Sequence, residues 1–119
     1  MKLLLVDDNT SITTMLSKYL TLKGHNCTVL NDSKEALNQI KKGDFDVVLL
    51  DLAMPVFSGR DLISSLVADG TIKDHKIIII SAIPISDSEI LEFQKKGILP
   101  FLNKPVELDE LSQKLASVS

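Results

Sequence analysis

A chain of 119 residues fits one domain with little room for a second. Hydrophobic residues make up 45% and charged residues 24%, an ordinary core and an ordinary surface. The formal net charge of −3 argues against nucleic acid as a direct ligand, since phosphate backbones are bound by basic patches. The first element is an apolar run, Leu3-Leu4-Leu5-Val6, that stops on Asp7-Asp8. It is too short for a signal-peptide core, and no stretch approaches the ~20 apolar residues of a membrane span. A soluble cytoplasmic protein is the expectation.

Ile12, Met15, Leu16, Tyr19 and Leu20 follow at helical spacing and define one apolar face, with Gly24 where a left-handed stop is favoured. Thr28-Val29-Leu30 reads as a short strand. Asp32 or Ser33 can cap a second helix that turns Ala36, Leu37 and Ile40 inward and stops at Gly43. Val47-Val48-Leu49-Leu50 then stops on Asp51. Leu62, Ile63, Leu66 and Val67 mark a third helix ending near Gly70. Ile77-Ile78-Ile79-Ile80 stops on Ser81. Ser86 and Glu89 have the spacing of a capping box, and Ile90, Leu91 and Phe93 carry that helix to Gly97. A segment from Leu99 to Asn103 stops on Lys104-Pro105. A last helix buries Leu108, Leu111 and Leu115. Pro100 cannot donate to a ladder, which places the last strand at a sheet edge. The lone Cys27 is read as a small half-buried strand residue, and His25 and His75 as surface residues in turns.

Strand and helix thus alternate five times, which implies a parallel sheet with helical crossovers on both faces. Continuous apolar runs suit strands buried on both sides. In such a sheet the residues just past the strands' carboxyl ends share one crevice. Asp7, Asp8, Asp51, Ser81 and Lys104 all fall there. Two carboxylates ~5 Å apart repel by roughly 3 kcal/mol at an effective dielectric of ~20, so three together call for a counter-charge. A hard, oxygen-preferring cation such as Mg²⁺ answers this and leaves positions for phosphate oxygens. Lys104 adds a mobile cation and Ser81 a donor. An aspartate in such a place can attack phosphorus and carry an acyl phosphate.

Leu5-Val6-Asp7-Asp8, Asp51-Leu52-Ala53-Met54-Pro55 with Gly59 after it, Ser81-Ala82 and Lys104-Pro105 together resemble the receiver domain of two-component response regulators, over essentially the whole chain, 1–119. The resemblance implies a flavodoxin-like (βα)5 fold with a five-stranded parallel sheet of order 2-1-3-4-5. It implies that Asp51 accepts a phosphoryl group from a histidine kinase. Asp8, Asp51 and the Ala53 carbonyl would ligate Mg²⁺, with Asp7 acting through a bound water. Lys104 would contact the phosphoryl group. Ser81 and Phe101 would form the switch, and the Lys104-Pro105 bond would be cis. Phe101 lacks a tyrosine hydroxyl, so its part would be packing alone. Ala53 and Ile83 stand where the family gates the attacking water. Neither can hydrogen-bond one, so a phosphoryl lifetime of minutes or longer is expected. Output would pass through the face running from Ser86 to Lys114, to a downstream effector, from a monomer or a phosphorylation-dependent dimer.

Other readings fit the residues less well. A constitutive, phosphorylation-independent binding module on the same fold would lack an acidic residue or the lysine, and all are present. A phosphatase with an aspartyl nucleophile wants a second aspartate where Ala53 stands. A flavin carrier wants a Ser/Thr/Gly-rich loop where Asp7-Asp8-Asn9 stands.

Overall fold

A computed structural model describes residues 1–82, 85–104 and 106–118, apart from the side chains of Leu99, Pro100, Phe101 and Asn103. Five strands, β1 (Lys2–Val6), β2 (Asn26–Leu30), β3 (Val47–Asp51), β4 (Ile77–Ser81) and β5 (Leu99–Asn103), alternate with five helices. The helices are α1 (Thr10–Leu22), α2 (Ser33–Lys41), α3 (Gly59–Ala68), α4 (Asp87–Lys95) and α5 (Leu108–Val118), with a short 3₁₀ turn at Ile72–Asp74. All strand pairs are parallel, in the order β2-β1-β3-β4-β5. This is the flavodoxin-like order expected, with β5 at an edge.

Alternation along the central strands sorts the core into two layers. Leu3, Leu5, Leu49, Ile78 and Ile80 point to one face and pack with Leu16 and Leu20 of α1 and Leu111 and Leu115 of α5. Leu4, Val6, Val48, Leu50, Ile77 and Ile79 point to the other, against Ala36 and Ile40 of α2, Leu62, Ile63 and Leu66 of α3, and Phe93 of α4. Each large side chain so buried contributes about 1.5–3 kcal/mol. β3 and β4 are buried along their whole length, which is why they read as unbroken apolar runs.

Several local expectations are corrected. β2 begins at Asn26, two residues earlier than its apolar core suggested. Of the two candidate caps of α2 it is Asp32 that serves; Ser33 is buried and its hydroxyl donates to the Phe57 carbonyl. Met15, Val67 and Leu91 are exposed, since each helix covers the sheet with a stripe narrower than its apolar residues span. His25 is half-buried and its Nδ1 lies 3.3 Å from the Met1 amine. The reciprocal capping box belongs to α3, between Ser58 and Asp61. At α4, Ser86 accepts from the Glu89 N–H, but the Glu89 carboxylate bonds Arg60.

The helix stops at Gly24, Gly43, Gly70 and Gly97 all have positive φ. Gly59 is different. A Cβ there would stand 2.7 Å from Leu52 Cα and closer still to the Asp51 carbonyl oxygen, so α3 starts in backbone contact with the end of β3. Just before it, the Phe57 N–H donates to the Pro55 carbonyl at 2.8 Å around Val56, whose φ is 69°. That is a γ-turn of the strained, positive-φ form.

β5 is irregular. Ile78 pairs with Leu99, but Ile80 pairs with Leu102 and Ser81 with Asn103. Pro100 and Phe101 therefore oppose a single residue, and the proline's missing N–H falls where the ladder is already interrupted.

Candidate functional site

The register of the sheet assembles the site. Val6 pairs with Leu50, which sets Asp7 beside Asp51. Asp51 pairs with Ile80, which puts Ser81 one step beyond. The Lys104 N–H donates to the Ser81 carbonyl at 2.9 Å, tying the residue after β5 to the end of β4. Asp7, Asp8, Asp51, Ala53, Ser81 and Lys104 thus lie along one edge. Ile83 and Pro105 fall outside the described residues. The β5 backbone carries Phe101, but its side chain is also outside them.

Asp7, Asp51 and Ser81 are 4%, 3% and 1% exposed, whereas Asp8 is exposed. One carboxylate oxygen from each of Asp7, Asp8 and Asp51 can be chosen so that all lie within 4.8 Å of one another. Lys104 Nζ sits 2.7 Å from Asp7 Oδ2 and 3.6 Å from Asp51 Oδ2. The lysine therefore leans on the first-strand aspartate. Among the described residues, Asp51 has the Ala53 N–H, at 3.3 Å, as its close backbone donor. Burial, and then the Asp7 charge, push the Asp51 carboxyl up to about 6, against the pull of the Ala53 N–H and Lys104. Three clustered carboxylates with oxygen donors only are a donor set that fits a hard divalent cation.

Residues that sequence reasoning passed over hold this edge in place. Asn9 caps α1, accepting from Ser11 and Ile12 N–H at 3.0 and 3.2 Å, while its own N–H donates to Asp7 Oδ1 at 2.9 Å. Asn31 Nδ2 donates to the Asp7 carbonyl at 2.6 Å. The signal was there: Asn31-Asp32-Ser33 is another polar triplet at a strand's carboxyl end. With Pro55, Val56 and Phe57 it lines a cavity of about 300 Å³ beside the site.

Residues 3–116 match the family described as the response regulator receiver domain. The chain belongs to that family. This receiver is 33% identical to the chemotaxis protein CheY-3 of Vibrio cholerae over 119 residues, covering 99% of this chain and 91% of that one. It is 32% identical to the transcriptional regulatory protein KdpE of Staphylococcus aureus, covering 96% of this chain and 48% of that one. The chemotaxis protein CheY4 of Vibrio cholerae superposes with a TM-score of 0.85 at 30% identity, over 99% of this chain and 98% of that one. The receiver domain of a Francisella response regulator gives 0.85 at 31%, over 98% and 94%. The fold so shared is the flavodoxin-like receiver fold, and the family is one of phosphorylation-regulated signalling domains rather than enzymes acting on external substrates. No helix among the described residues is long and apolar enough to cross a membrane.

Proposed function

We propose that the chain is a phosphorylation-activated switch, one receiver domain over 1–119, in which Asp51 takes a phosphoryl group from a histidine kinase or phosphotransfer protein. One observation carries the reading: a buried Asp51 with Lys104 Nζ at 3.6 Å and the oxygens of Asp7 and Asp8 within 4.8 Å. An Asp51 carboxylate oxygen attacks phosphorus; the O–P bond forms as the P–N bond breaks, and the electron pair stays on the imidazole nitrogen of the donor. Asp51 must be ionised to attack, and with its carboxyl near 6 it mostly is at neutral pH. Asp8, Asp51 and the Ala53 carbonyl would hold Mg²⁺, with Asp7 through a water. When bound, the cation supplies charge neutralisation for the transferring group. Lys104 draws one phosphoryl oxygen and Ser81 donates to another. The inward shift of Ser81, followed by Phe101, alters the face of α4, β5 and α5 that a downstream effector reads.

The test is intact mass after incubation with Mg²⁺ and acetyl phosphate. One phosphoryl group is expected, needing both Mg²⁺ and Asp51, and decaying over minutes or longer once the donor is removed. No gain, where a known receiver is labelled, would favour the phosphorylation-independent binding module.

Lys104 also bears on the cation. Its ammonium rests on Asp7, in the middle of the acidic cluster, and so opposes a second positive charge there. Lys104→Ala is expected to tighten Mg²⁺ binding about tenfold by titration calorimetry, since roughly 1.4 kcal/mol of repulsion removed is tenfold in affinity. Unchanged or weaker binding would show that the lysine does not compete for that place.

A further inference from the structure

α3 and α4 begin immediately after the two loops that leave the site, one following Asp51 and the other following Ser81. Their first turns are joined by an ion pair. Arg60 Nε donates to Glu89 Oε2 at 3.1 Å and Nη2 donates to Glu89 Oε1 at 2.8 Å, a two-pronged pair between residues 29 positions apart. Neither partner is where helix chemistry alone would put it. An arginine in the first turn of α3 faces the positive end of the helix dipole and is disfavoured there without an anion. Glu89 is the third residue of α4, with Ser86 at the cap, and in that sequence the glutamate ordinarily reaches back to the cap's own N–H. At the start of α3, Asp61 does so to Ser58, at 2.9 Å. At the start of α4 half the box is made, the Glu89 N–H to Ser86 Oγ at 3.2 Å, while the carboxylate is committed to Arg60.

We infer that the Arg60–Glu89 pair is a latch that holds the first turn of α4 against α3 in the unphosphorylated arrangement, so that its strength sets how readily the chain switches. Glu89 has two competing partners: Arg60 across the gap, and the cap of its own helix. α3 offers the fixed side, because Gly59 lies hard against the backbone of Asp51 and Leu52. α4 offers the moving side, its cap Ser86 lying five residues beyond Ser81 in chain order. When Ser81 is drawn toward a phosphoryl group, α4's first turn follows only if the latch opens, and Glu89 then closes the capping box. The latch rests on the phosphoacceptor reading above, because it restrains that switch.

The experiment compares initial rates of labelling by acetyl phosphate and Mg²⁺ in the full chain, Arg60→Gln, Glu89→Gln and the double variant. A bidentate pair at this partial exposure makes each single variant about three- to fivefold faster, by raising the population of a minor competent state. The double variant is no faster than either single, since there is one contact to lose. The shared sign is decisive. If the two charges only steered an anionic donor, removing Arg60 would slow labelling and removing Glu89 would speed it. Singles within twofold of the parent, effects of opposite sign, or multiplying effects in the double would each overturn the latch while leaving Asp51 as acceptor. A parent chain that takes no label overturns the acceptor reading, and the latch with it.

Discussion

Asp51→Asn is expected to abolish labelling and, at the same time, to stabilise the metal-free chain. The sign follows from burial. The carboxyl's folded value of about 6 lies above its ordinary 3.8. Between these values the native state keeps a proton that the unfolded chain has released, so stability falls as pH rises through the window. Above pH 6 the parent bears the whole cost of a buried charge beside Asp7, and the amide does not. The gain at pH 7.5 is about 3 kcal/mol, shrinking to under about 1 kcal/mol near pH 4. The exchange leaves no orphaned cation, because Lys104 keeps its 2.7 Å contact with Asp7. Urea unfolding of both chains in EDTA at pH 4.5 and 7.5 measures it. A difference that does not change with pH would show that Asp51 carries no such penalty. The proposed acceptor is thus a residue the resting fold holds at a loss, a common feature of functional sites.

Gly59→Ala carries the other large effect, in the opposite direction. The added methyl would meet backbone, the Asp51 carbonyl and Leu52 Cα, rather than the yielding end of a side chain. Relief requires moving the end of β3 or the start of α3. The Ser58–Asp61 capping box fixes the helix start, and the γ-turn at Val56 is already strained. A loss of about 3 kcal/mol is expected, at the upper end for overpacking, with a melting point lower by roughly 10 °C. Labelling of the folded fraction should fall too, because the methyl pushes on Asp51, the proposed acceptor. A variant within 1 kcal/mol of the parent would show that the loop yields.

The sheet and its site edge were legible because the same apolar runs that bury the central strands end on the polar residues gathered at that edge. Strand order came from the resemblance, and β5's place at the edge from Pro100. Three things could not be read along the chain. The pairing of Arg60 with Glu89 joins residues far apart in sequence, and the local capping rule pointed Glu89 elsewhere. Periodicity finds the buried side of a helix but not its width, so Met15, on the apolar face read for α1, lies outward, as do Val67 and Leu91 among the apolar residues that marked α3 and α4. The preference of Lys104 for Asp7 depends on a difference of under an ångström, from 2.7 to 3.6 Å, which spacing in sequence does not encode.

The irregularity at Pro100 has a consequence for how such a site can vary. Had β5 kept the register that begins at Ile78 and Leu99, Ser81 would face Leu102, and the lysine would overshoot the edge by one residue, about 3.3 Å, and leave on the opposite side of the ribbon. The extra residue acts as a vernier that sets the arrival of Lys104 in whole-residue steps. Along this strand, gaining or losing a residue is a coarser and more consequential change than exchanging one, and the distance from the bulge to the lysine is a count to be kept, whatever the letters in between.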